Sequence, residues 1–392
     1  MNIALCYESV LPARGGCETY IGDLSRRLAR DGHEVHLYAC RWDAAALPSG
    51  MVFHQLAVPT GARFRRPWRF GRAVAAALKG AAHDVTVGFD KTWGQDVLYP
   101  QGGLHAASTA HNRRKHANGF LRAAASVGKW FDPAAWSFAK LERKQYLTTP
   151  KPLVVVNSEM VRGHFRDYYG IDDVTVVRSA IDPDRFAAPD REALRTAERA
   201  RWGATPDEPV GLMVAMNYRL KGLAQLIRAA ALIPTATTYR LAVVGHPKVG
   251  QYERLAMRLG VRDKFFFLGH RSDPKEAYFA ADFLVHPTFY DPCSLVALEA
   301  LACGLPVITT CFNGASELLS PPSNGLVVDD PHDAVSLANA VTAMFDPSYR
   351  AAASVAARRA AQAWTFGHHY AALLAAFDAA RARRRHGPRL GV

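Results

Sequence analysis

No run in this 392-residue chain approaches the roughly 20 consecutive apolar residues of a membrane-crossing helix, so none is expected. No Gly-x-Gly-x-x-Gly follows the first apolar strand, and no Gly-Lys-Ser/Thr loop occurs, which argues against a dehydrogenase and a P-loop nucleotidase. Gly-x-Ser-x-Gly is also missing, and with it the nucleophile elbow of a serine hydrolase. The six cysteines (Cys6, Cys17, Cys40, Cys293, Cys303 and Cys311) form no Cys-x-x-Cys and no Cys/His group at metal spacing. They read as reduced, buried thiols of a cytosolic protein, and neither a metal nor a cofactor is expected. The opening MNIALCYESVLP lacks a basic leader region and reads as a strand.

Acidic residues are the scarcer charge. Against 48 Lys and Arg stand 35 Asp and Glu, a formal net charge of +13 that calls for an anionic partner: phosphates, an acidic membrane face or nucleic acid. A hydrophobic content of 49% with 21% charged residues describes a folded globular chain, long enough for two cores.

The pattern is α/β throughout. Apolar strands at Asn2–Tyr7, Glu34–Ala39, Asp84–Gly88, Leu153–Asn157 and Val174–Val177 alternate with helical segments. The first of these is Glu18–Asp31, carrying Tyr20, Ile21, Leu24 and Leu28 on one face. A second series starts near residue 208, with strands at Val210–Ala215, Tyr239–Gly245, Lys264–Leu268 and Phe283–His286, and helices at Leu220–Ala231, Tyr252–Leu259 and Glu276–Ala281. Such alternation demands parallel sheets covered by helices on both faces. The Pro-, Asp- and Arg-rich stretch Ile181–Glu208 reads as a linker with a short helix. The division expected is residues 1–185 and 186–365, with a basic tail at 386–392. The last helices, Ser348–Ala363 and His369–Arg385, are expected to pack back on the first domain.

The most informative segment is YDPCSLVALEALACGLPVITT. Asp291 and Glu299 stand eight residues apart, a rise of about 12 Å on a helix, so they cannot share one helical turn. Asp291 is therefore expected in a loop and Glu299 on the helix that Gly304 ends, two acids facing one ligand. Asp291-Pro292 also has the form of an N-cap and first helical residue. Glu299 interrupts an apolar run, where a charge needs a partner. Upstream, Asn217-Tyr218-Arg219-Leu220-Lys221-Gly222 follows the first strand of the second series, on the edge where open α/β sheets bind ligands. Arg219 and Lys221 put two cations on that edge, and the main chain of Ser294 and Leu295, at a helix N-terminus, offers amides to an anion. Gly15 and Gly16, after the first strand, would allow a close backbone approach to phosphate or sugar.

These motifs resemble the donor-binding signature of retaining glycosyltransferases of family 4, with Asp291 in place of the first Glu of Glu-x7-Glu. Nearly the whole chain resembles the lipopolysaccharide core glucosyltransferase subgroup, through VGFDKTWGQDVLY, FLGHRSD, AADFLVHPTFYDP and LACGLPVITT. The resemblance implies a GT-B fold of two Rossmann-like domains with parallel sheets facing a central cleft. Glu299 would grip the donor ribose and Asp291 would lie near the donor sugar. Arg219 and Lys221 would replace a divalent metal on the diphosphate, His270 and Arg271 would lie by the base, and His105 by sugar and acceptor. Asp90 and Lys91 are weaker candidates. The expected donor is a UDP-hexose, with glucose the sugar, and the acceptor a lipopolysaccharide-core or other cell-envelope glycolipid.

From His111 to Tyr146, Arg113, Arg114, Lys115, Arg122, Lys129, Lys140, Arg143 and Lys144 alternate with Phe120, Leu121, Val127, Trp130, Phe131, Trp136 and Phe138. Basic residues beside apolar ones suit an anionic lipid surface, and place the protein peripherally on the inner face of the cytoplasmic membrane. No nucleic-acid motif accompanies them. Two other readings share the donor motif: a sugar-nucleotide epimerase of the same fold, and a catalytically silent scaffold docked on membranes.

Overall fold

The computed structural model describes residues 1–11, 15–59, 61–62, 64–115, 132–271 and 273–386. The heart of the basic, aromatic stretch (116–131) and the tail beyond 386 lie outside them. The chain divides into two compact units. The first comprises Met1–Ala110, Asn118–Arg178 and His369–Val392, and the second His111–Ala117 and Ser179–His368.

Seven parallel strands form the first unit's sheet, in the order Val52–Gln55, Glu34–Ala39, Asn2–Cys6, Val85–Phe89, Val97–Tyr99, Leu153–Val156, Val174–Val176. Ile3, Ala4, Leu5 and Cys6 are all fully buried, as a strand covered on both faces requires. The helix Gly16–Arg30 lays Tyr20, Ile21, Leu24 and Leu28 on the sheet. After Leu153–Val156, Ser158 caps the next helix by accepting from the Val161 amide, and Gly170 ends that helix at φ +63°. The C-terminal helix Phe366–His386 joins this unit from His369 onward. Arg381 reaches Asp84 (3.1 Å), Arg383 reaches Asp173 (2.8 Å) and Arg384 reaches Asp96 (3.2 Å).

The second unit is a six-stranded parallel sheet in the order Phe265–Gly269, Arg240–Gly245, Val210–Ala215, Phe283–His286, Val307–Thr310, Gly325–Val328. Three local expectations change here. The helix expected over Leu220–Ala231 is broken into Tyr218–Lys221 and Leu223–Ala230 by Gly222. That residue sits at φ +82°, and a Cβ there would come within 2.1 Å of the Pro287 carbonyl oxygen. The Ile181–Glu208 stretch is packed rather than a linker. Its Arg191–Arg201 helix sends Arg195 to the carbonyls of Phe279, Ala280 and Ala281 (3.0–3.3 Å) and Asp282 (2.6 Å), satisfying the end of the helix Lys275–Ala280. The Pro347–Ala363 helix stays with the second unit instead of the first. Ala353 and Ala357, one turn apart and fully buried, let it lie close against Leu295–Ala302.

Candidate functional site

In the second unit the sequence-selected residues gather at the C-terminal edge of the sheet, the edge where open α/β sheets bind ligands. Arg219 and Lys221 follow the strand Val210–Ala215 on a single helical turn capped by Asn217, whose side chain accepts from the Leu220 amide. Arg219 is exposed. Lys221 turns inward: its Nζ donates to Asp291 Oδ2 (2.6 Å) and to the Tyr290 carbonyl (3.3 Å).

Asp291 lies beyond the strand Phe283–His286, and its backbone forms a parallel bridge to Asn313. Its amide donates to the Phe312 carbonyl and its own carbonyl accepts from the Gly314 amide, each at 2.9 Å. It is therefore not the helix cap that Asp-Pro suggests. The cap of Leu295–Ala302 is Ser294. His286, 1% exposed at the strand end, places Nε2 3.3 Å from Asp291 Oδ2. Burial alone would raise the Asp291 carboxyl, but Lys221 and His286 together hold it well below the usual carboxylate range. His286 is itself pushed down by burial, and its Nδ1 is buried without a hydrogen-bond partner. A neutral imidazole donating Nε2–H to Asp291 fits both facts. Lys221, Asp291 and His286 thus form a chain of ammonium, carboxylate and imidazole.

Glu299 projects from Leu295–Ala302 and accepts from the Tyr278 hydroxyl at 2.6 Å. Tyr278 is fully buried, and burial together with the Glu299 charge raises its hydroxyl well above the ordinary phenol value. Here is the partner that a carboxylate inside an apolar run requires. The Ser294 amide is engaged by Asn313 Oδ1 (3.1 Å), so of the two main-chain donors expected at this helix start, Ser294 already serves the fold. Asn313 also accepts from Ala315 N (3.1 Å) and donates to Thr309 Oγ1 (3.0 Å), locking the loop behind Asp291. Sequence reasoning missed Asn313, whose only signal was the Asn-Gly pair, and missed His286 and Tyr278. His270 is exposed after the strand Phe265–Gly269. Arg271 is drawn to Glu198 (3.1 Å) and Glu276 (3.8 Å), and so braces two helices of this unit.

In the first unit, Gly15 precedes the helix Gly16–Arg30 in fully extended backbone (φ −175°), a conformation open to any residue. The nearest group to a Cβ there would be the Glu18 carboxylate, at 2.8 Å. His105 begins the helix His105–Arg114 and helps to line a cavity of about 220 Å³ with Asp90, Lys91, Gly102, Phe138 and Glu142. Asp90 adopts φ +53°, accepts from the Gly102 amide (3.1 Å), and is raised by burial. Phe138 packs against the His105 ring (5.0 Å) and under Lys91 (4.8 Å) at the wall of this cavity.

The anchor of this cavity is Glu142, which no sequence pattern revealed. It is 4% exposed and takes the amides of His105 and Ala106 and the Tyr169 hydroxyl (2.6 Å). Burial raises its carboxyl against the pull of these donors. Glu142→Ala strands three partly buried donors, so urea unfolding should register a loss of about 2–4 kcal/mol. A loss below about 1 kcal/mol would contradict this anchoring.

Among the described residues no group of His, Cys, Asp and Glu is arranged to hold a metal ion, and no helix is long and apolar enough to cross a membrane.

Comparison with known proteins agrees with this architecture. Residues 14–185 match the model of Glycosyltransferase Family 4, and residues 195–360 that of Glycosyl transferases group 1. The lipopolysaccharide glucosyltransferase WaaG of Escherichia coli K12 is 27% identical over 84% of this chain and 86% of its own. A crystal structure of WaaG, described as involved in lipopolysaccharide biosynthesis, superposes with a TM-score of 0.78 at 25% identity, covering 95% of this chain and 98% of that one. The D-inositol 3-phosphate glycosyltransferase of Geodermatophilus obscurus is 31% identical over 93% of this chain and 85% of its own. Anabaena HepE, solved in complex with UDP-glucose, shares the fold with a TM-score of 0.72 at 18% identity, covering 97% of this chain and all (100%) of that one.

Proposed function

Because the chain belongs to the family 4 glycosyltransferases of GT-B fold, we propose that it moves a hexose, glucose in the first instance, from a UDP donor to a cell-envelope glycolipid with retention of anomeric configuration. The observation that carries this is the Lys221–Asp291 pair at the ligand-binding edge of the second sheet, with Glu299 on the helix that follows.

In this reading Glu299 takes the ribose hydroxyls. Lys221 and Arg219 neutralise the diphosphate, a fixed positive environment for the charge that grows on the leaving group. Lys221 exchanges its bond to Asp291 for one to phosphate, which frees the carboxylate for the sugar hydroxyls. The leaving phosphate oxygen accepts the acceptor proton on the same face, so no separate protein base is required. His105, Asp90 and the cavity beside them belong to the acceptor side, and Gly15 and Gly16 to the phosphate or sugar. The main chain of Leu295, at the start of its helix, adds to phosphate binding.

The membrane role rests on the helix Pro133–Tyr146, where Trp136 is 60% exposed and Lys140 and Arg143 are exposed along one face. It would keep the protein on the cytoplasmic face of the membrane, where a glycolipid acceptor lies. The D-inositol 3-phosphate relative favours a second acceptor class, a small phosphorylated polyol.

A thermal-shift panel of UDP-, GDP-, dTDP- and ADP-sugars tests the donor: stabilisation is expected with UDP-glucose, and a shift with another base alone overturns that assignment. Sedimentation with vesicles containing phosphatidylglycerol tests the surface. Transfer to inositol phosphate without vesicle binding would replace the glycolipid reading.

A further inference from the structure

The second unit carries a hollow of about 300 Å³ at the opposite edge of its sheet from Lys221 and Asp291. Ala281 and Asp282, just before the strand Phe283–His286, and Gly304 and Leu305, just before Val307–Thr310, form its floor. Its walls are the start of the helix Arg191–Arg201 and the helix Pro347–Ala363.

Four guanidinium groups enter it. Arg195 is neutralised by Asp282, which also pairs with Arg199. The other three, Arg191, Arg350 and Arg358, make no ion pair with any carboxylate among the described residues. Arg191 spends one donor on the Cys303 carbonyl (2.6 Å) and lies over the Phe279 ring (5.0 Å). Arg350 spends one on the Met344 carbonyl (2.7 Å). Arg358 lies across Gly304, where a Cβ would come within 2.4 Å of its Nε and 3.0 Å of the Ser354 hydroxyl. Glu192 is the only other acid in the lining. Burial, and beyond it the like charges of Arg358 and Arg195, lower the pKa of Arg191.

Arg191 and Arg350 are thus each held by one neutral carbonyl, and Arg358 lies against Gly304, so three guanidinium groups are kept together with donors to spare and no carboxylate paired to any of them among the described residues. Planar guanidinium donors with a hydroxyl among them match the oxygens of a phosphoryl group. We propose that this hollow is a second anion site, binding a phosphoryl group independently of the donor edge. That group belongs either to a free phosphorylated small molecule or to a lipid headgroup.

The test is calorimetric titration of the full chain with inorganic phosphate. Lys221→Ala should leave this binding unchanged. Arg350→Glu combined with Arg358→Glu should weaken it about 10-fold or more while UDP binding persists, and Arg350→Ser with Arg358→Ser serves if the acidic pair does not fold. No phosphate binding by the wild type, or binding lost in Lys221→Ala and kept in the arginine variants, overturns the proposal. Competition by glycerol 3-phosphate, with vesicle binding unaffected by the arginine changes, assigns a free metabolite. Loss of sedimentation with phosphatidic acid vesicles in those variants assigns the headgroup.

Discussion

Glu299→Ala should weaken UDP-glucose binding by about 10- to 100-fold, the cost of removing hydrogen bonds to a charged acceptor. It should also lower stability, because the Tyr278 hydroxyl now bonded at 2.6 Å would be left in an apolar interior. The two effects separate with Glu299→Gln. An amide oxygen still accepts from Tyr278, so the fold is kept while the charge proposed to hold the ribose hydroxyls is lost. Titration calorimetry of the three proteins with UDP decides the matter, and equal affinity in all of them removes Glu299 from the donor site. Asp291→Ala should behave differently. Lys221 loses its carboxylate partner, keeps only the weaker bond to the Tyr290 carbonyl and becomes freer to hold phosphate, so turnover should fall more than donor affinity.

That contrast rests on a distinction the sequence already drew in part. The rise of a helix over eight residues placed Asp291 and Glu299 on different elements, and the bridge at Asp291 and the helix Leu295–Ala302 are those elements. The strands were legible for a similar reason. A parallel strand buried on both faces must be a continuous apolar run, and Leu153–Val156 and Phe283–His286 are such runs.

What escaped was set by contacts distant in sequence. The break at Gly222 answers to the Pro287 carbonyl, and the packing of Ile181–Glu208 answers to the carbonyls before Asp282. The partners of the acids, His286 for Asp291 and Tyr278 for Glu299, come from neighbouring strand and helix ends. Glu142 is an ordinary Glu in a basic helix until the fold brings two amides and a tyrosine to it. Motif reasoning finds groups that meet a ligand, because their types and spacing are constrained. The groups that hold them in place carry no such signature.

His369 shows the same point in a property that can be measured across pH. It is fully buried where the C-terminal helix meets the first unit, with Nε2 2.7 Å from the Tyr20 hydroxyl and Nδ1 2.7 Å from the Arg178 carbonyl. A neutral ring with its proton on Nδ1 satisfies both: it donates to the carbonyl and accepts from the tyrosine. A second proton would turn the tyrosine's acceptor into a donor in a fully buried site. Burial accordingly pushes the ring down to about 4. In the unfolded chain it titrates near 6.5, so between the two values the unfolded state binds more protons than the folded one. Stability is then complete above about pH 7, falls as pH drops through 6.5 and levels off below 4, a loss of about 3 kcal/mol. His54, His83 and His286 are lowered too and add to the wild-type slope, so the informative quantity is a difference. His369→Gln retains a donor for Arg178 and an acceptor for Tyr20 but does not titrate. Urea unfolding at pH 7.5 and pH 5 should show a smaller drop in the variant than in the wild type. Equal drops would mean that His369 takes up its proton as readily in the fold as in the unfolded chain, which contradicts the lowering by burial.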